Sequence, residues 1–74
     1  MTENRSMDQA ILDEVRELWK RDISEKMAMD LYQMNDRYYR RTVNHKTRRG
    51  EAELYIRREA CALYLKERYG VDLK

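Results

Sequence analysis

The residues of this chain best suited to chemistry lie in one short stretch. Arg37, Tyr38, Tyr39, Arg40 and Arg41 are consecutive, and Lys46, Arg48 and Arg49 follow closely. Residues 37–49 hold six bases and no acid, whereas residues 1–36 hold nine acids against five bases and residues 50–74 hold five of each. That stretch therefore carries the whole positive excess behind a formal net charge of +2. Arginine presents a planar fork that matches phosphate and carboxylate, and it stacks on rings. Arginines beside tyrosines can neutralise a phosphate backbone while the rings contact sugars or bases. The expected contact surface is Arg37, Tyr39, Arg40, Arg41, Lys46, Arg48 and Arg49. Its expected partner is DNA or RNA, or alternatively an acidic protein surface. The bland reading is that these bases neutralise the acidic first segment, since exposed charge is usually a solvated face.

Residues for catalysis are sparse. His45 and Cys61 are the only histidine and cysteine. A tetrahedral zinc site wants four ligands, so no metal or other cofactor is expected. There is no glycine-rich phosphate loop and no nucleophile elbow. Cys61 sits in the run Ala60–Leu65 and reads as an inert core thiol. Arg40 and His45 have four residues between them, a spacing similar to that of the helical RNA-cleaving HEPN family. That resemblance is carried by two residues, and the expectation is a binding protein rather than an enzyme.

These residues must be positioned by helices. Prolines are absent and glycines number two, Gly50 and Gly70, while charged residues make up 41% of the chain. Strong helix formers dominate, and an all-β fold needs more turn residues. Apolar residues recur at helical spacing, which argues against disorder. Three helices are expected, over about 7–20, 23–43 and 51–69. The first opens on Ser6 with Gln9, a capping box, and carries the stripe Met7, Ile11, Val15, Leu18. The second starts at Asp22 or Ser24 and carries Met27, Leu31, Met34, Tyr38. Residues 43–50 read as a loop. Gly50 precedes the acids Glu51 and Glu53, which suit the positive end of a helix dipole. The third helix stops at Gly70, with Val71 placed to fold back on Leu65.

A helix-turn-helix can be tried on residues 23–43, with Asn35 capping a recognition helix that bears the arginines. The apolar stripe crosses that supposed turn without a phase break, so one continuous helix is favoured. Met29, Leu12, Trp19 and Tyr55 lie off the main stripes and are candidates for an exposed contact surface.

Seventy-four residues make one domain, and a domain of this size buries only about 60% of the surface of its unfolded chain. One cysteine rules out a disulfide within the chain. Stability must come from well-packed helices or from self-association. The run Ala60–Leu65 is apolar on every side, which calls for protein all round it and suggests a homodimer through the third helix. The expected fold is all-α, a small three-helix bundle with self-association as a route to completing it. No apolar segment approaches a membrane span or a signal-peptide core, and a lone cysteine suits a reducing compartment, so a cytoplasmic address without membrane contact is expected.

Overall fold

The computed structural model describes residues 7–44 and 50–73. Its elements are α1 (Met7–Lys20), α2 (Glu25–Asn44) and α3 (Glu51–Tyr69), with no strand among the described residues. This is a three-helix all-α bundle. The helix-turn-helix reading is set aside, because α2 runs unbroken through Asn35.

Local chemistry explains the boundaries. Ser24 caps α2, its hydroxyl accepting the backbone N–H of Met27 at 3.2 Å. Asp22 instead takes the left-handed conformation (φ 52°) that reverses the chain after α1. Gly50 and Gly70 flank α3, both left-handed. At the far end Gly70 N–H bonds Lys66 O and Val71 N–H bonds Leu65 O, the paired closure of a Schellman motif. Val71 and Leu73 then pack against the core. The predicted cap at Ser6 lies outside the described residues.

α3 is the centre of the bundle. It packs against both α1 and α2, which do not closely approach each other. The buried cluster is Val15 and Leu18 of α1, Ile23 of the joint, Ala28 of α2, and Ala60, Cys61, Tyr64 and Leu65 of α3. The apolar run of α3 is thus enclosed largely by helices of its own chain, which removes the reason to look for a second copy there. Leu65 has no exposure, and Ala62 and Leu63 are half-buried.

On α2 the buried side differs from the expected one. Met27, Met34 and Tyr38 are 51%, 44% and 44% exposed. Ala28 and Asn35 are buried instead, with Leu31, Tyr32 and Tyr39 half-buried. The helix is rotated so that a small residue meets the centre, which allows a close approach that two methionines would prevent. Asn35 meets the cost of burial by donating its amide to Leu31 O at 2.8 Å. Met29 is likewise half-buried against the core rather than exposed. On α1 the stripe holds at Ile11, Val15 and Leu18, but Met7 is 44% exposed.

The joint between α1 and α2 is tied to α3 by polar contacts. Tyr64, fully buried, donates its hydroxyl to Ile23 O, and Tyr69 donates to the same carbonyl at 2.9 Å. Arg68 donates to the Tyr64 hydroxyl at 2.7 Å and to the Asp22 carboxylate. Trp19 and Tyr69 meet the Tyr64 ring edge-on, with centroids 5.3 and 6.0 Å away. Those hydrogen bonds to the Asp22 carboxylate and the Tyr64 hydroxyl raise the Arg68 pKa above its ordinary value. Loss of the buried Tyr64 hydroxyl in Tyr64→Phe should lower the unfolding free energy by about 1–2 kcal/mol, and Tyr64→Ala by about 3–5 kcal/mol, in urea denaturation.

Cys61 is buried, and desolvation, with a smaller contribution from the Glu14 charge, pushes its thiol from 9.0 up to about 11. The unfolded thiol ionises near the ordinary value while the folded one keeps its proton to about 11, so the thiol contribution to stability falls as pH rises through that window. Urea midpoints of wild type and Cys61→Ala, compared at pH 8 and at about pH 10.5, should show a steeper alkaline loss in the wild type.

Candidate nucleic-acid interface

The arginines predicted to form the site occupy the C-terminal half of α2, whose buried side faces α3 through Ala28, Asn35 and Tyr39. Successive helical residues turn by about 100°, so Arg37 faces outward with Arg40 about 60° to one side of it and Arg41 about 40° to the other. All three are exposed. Arg37 and Arg41 make no hydrogen bond or ion pair among the described residues. Arg40 pairs with Asp36, one turn back, at 3.1 Å, yet its side chain remains 75% exposed. None of the three is neutralised by a carboxylate of α1.

Tyr39 does not join them. Its ring turns toward α3 and packs on Tyr55, with centroids 5.7 Å apart. Arg58 lies over both rings, 4.5 Å from the Tyr39 centroid and 5.3 Å from that of Tyr55. Arg58 also donates to Asp36 at 2.9 Å and to Glu59 at 3.1 Å. Burial works against the guanidinium charge, but the hydrogen bonds and charges of Asp36 and Glu59 outweigh it and raise the Arg58 pKa. Tyr39 therefore anchors α2 to α3 and is not presented for stacking. The ring on the outer side is Tyr38.

Sequence reasoning misses Asp36, Tyr55 and Arg58 as partners of the cluster. The signal is partly legible: Asp36 and Arg40 are four apart, and Tyr55 and Arg58 three apart, both spacings that place side chains on one helix face. Tyr55, a candidate for exposure, is half-buried, whereas Leu12 and Trp19 are 47% and 44% exposed as expected. Lys46, Arg48, Arg49 and His45 lie outside the described residues, so the Arg40–His45 pairing has no described geometry. In sequence, however, they follow directly from the arginine-bearing end of α2.

Two open grooves flank α3. One, of about 220 Å³, is lined by Leu18, Leu31, Met34, Asn35 and Cys61 with Arg21 at its edge. The other, of about 520 Å³, runs past Ile11, Leu12, Tyr32, Ala62, Leu63 and Val71. Glu14 and Arg57 also line the smaller groove, where the Glu14 charge acts on the buried Cys61 thiol. Among the described residues no cluster of three or more His, Cys, Asp or Glu could hold a metal, and no helix is long and apolar enough to cross a membrane.

No family model matches the chain, and no curated protein or solved structure is significantly similar to it.

The Arg58 network predicts a division of labour among these charges. Asp36→Ala removes a half-buried carboxylate shared by two arginines and should cost about 1–3 kcal/mol. Arg41→Ala should change stability by no more than about 0.5 kcal/mol in the same urea titration.

Proposed function

We propose that this protein binds nucleic acid, without catalysis, through the C-terminal half of α2 and the basic segment that follows it. The observation that carries the reading is the state of the arginines. Arg37 and Arg41 are exposed and unpaired among the described residues, and Arg40 is 75% exposed beside Asp36. Residues 37–49 add no acid to offset six bases, so the positive charge is concentrated in one stretch of sequence that begins on α2.

Such a surface neutralises phosphates and releases condensed counterions. Binding of this type is governed by charge rather than by a pocket. Arg40 and Arg41 sit near the end of α2, next in sequence to Lys46, Arg48 and Arg49, and supply the core of the surface. Arg37 lies at its edge. Base-edge readout would come from an arginine fork, because Tyr39 is spent on packing against Tyr55.

A second reading is an adaptor or inhibitor that sets the same arginines on an acidic protein surface. The exposure of Met34 and Tyr38 beside Arg37 and Arg41 favours it, since methionine, tyrosine and arginine are enriched at protein interfaces.

Fluorescence anisotropy with a generic duplex DNA and a generic RNA, at about 50 and 200 mM salt, tests the first reading. Affinity should fall by about tenfold or more between the two conditions. Arg40→Glu with Arg41→Glu should abolish binding at the lower salt while circular dichroism stays unchanged. Absence of binding at low salt rejects the nucleic-acid reading and leaves the adaptor, whereas binding untouched by the double substitution shows that the arginine cluster is not the site.

A further inference from the structure

We infer that α2 carries a second, separate interaction surface: an exposed heptad seam that pairs antiparallel with α2 of a second copy of this chain. Met27, Leu31, Met34 and Tyr38 step by four, three and four residues along α2. That is the alternation of a coiled-coil seam. The bundle uses it only in part: Leu31 packs against the core, and Leu31 and Met34 border the groove that Leu18 of α1 also lines. Met27, Met34 and Tyr38 are 51%, 44% and 44% exposed, and Leu31 is only half-buried. A helix whose inner face is filled by Ala28, Asn35 and Tyr39 therefore carries another, partly exposed apolar stripe about a quarter-turn round from it.

The seam is self-complementary when two copies run antiparallel. Centred between Leu31 and Met34, it sets Met27 opposite the partner's Tyr38 and Leu31 opposite the partner's Met34, each layer occurring twice. The charges beside the seam choose the occupant. Asp30 and Arg37 lie one heptad apart on the same flank. In the antiparallel register Asp30 meets the partner's Arg37, and Arg37 meets the partner's Asp30. In a parallel pair neither would meet its opposite. Arg37 has no partner in its own chain among the described residues. Asp30 has only Lys26 at 3.6 Å, a pair whose side chains are 61% and 89% exposed.

Size supplies the motive. A 74-residue chain has a small core, and a subunit interface is a common remedy. Arg40 lies off the seam, whereas Arg41, one heptad after Met34, continues its line at the far end of the pairing. The two copies of Arg41 would lie about 26 Å apart, from about 17 residues of helical rise. Self-association is read in the absence of nucleic acid, so either reading can fail alone.

Sedimentation equilibrium of the full chain without nucleic acid, from about 1 to 200 µM, tests the pairing. The wild type should be dimeric at the upper end. Met34→Glu, at an exposed position, should be monomeric with unchanged helical circular dichroism. Arg37→Asp should weaken dimerisation at least tenfold, as should Asp30→Arg. The double variant Asp30→Arg with Arg37→Asp should restore it. A monomeric wild type at about 200 µM overturns the inference. So does a dimer indifferent to Met34→Glu, which would place the interface elsewhere, and so does a double variant no better than the singles. If a foreign helix occupies the seam instead, the wild type alone stays monomeric.

Discussion

The carbonyl of Ile23 holds this bundle together. It belongs to the turn between α1 and α2, where backbone groups have left one helix and not yet entered the next. Both Tyr64 and Tyr69 of α3 donate hydroxyls to it, and Tyr64 does so from full burial. α1 and α2 have little contact of their own, so their relation depends on how each meets α3. Pinning their joint to the end of α3 constrains both at once. The left-handed Asp22 is part of the same device, because it reverses the chain and hands its carboxylate to Arg68.

The other end of α3 repeats the idea with different residues. Arg58 lies over Tyr39 and Tyr55 and pairs with Asp36, as Arg68 lies over Trp19, Tyr64 and Tyr69 and pairs with Asp22. Each arginine joins rings from two elements and a carboxylate from across the interface. A guanidinium suits both roles, since its face stacks while its edge donates. Packing of this sort lets a chain with 41% charged residues and few large apolar side chains hold three helices. It also separates structural arginines from available ones. Arg58 and Arg68 are committed, whereas Arg37 and Arg41 are not.

That separation shapes the function proposed. A basic cluster has meaning only if its charges remain unneutralised, and no carboxylate of α1 pairs with Arg37, Arg40 or Arg41 among the described residues. The partly exposed heptad stripe of α2 lies beside these arginines, and Arg41 continues its line.

Helix content, the limits of α1 and α3, and the stop at Gly70 followed from local rules: periodicity, missing prolines, and glycines able to adopt the left-handed conformation. The concentration of bases in residues 37–49 was equally legible, because charge is counted without a fold. The inner side of α2 was not. Two stripes share that helix, Met27–Leu31–Met34–Tyr38 and Ala28–Asn35–Tyr39, and hydrophobicity alone favours the first. Tertiary packing chose the second, because close approach to α3 rewards a small residue such as Ala28, and because Asp36 and Tyr39 find Arg58 and Tyr55 only when α2 turns that way. Periodicity reports that a face is apolar; which face is buried depends on the shape and charge of a neighbour distant in the chain.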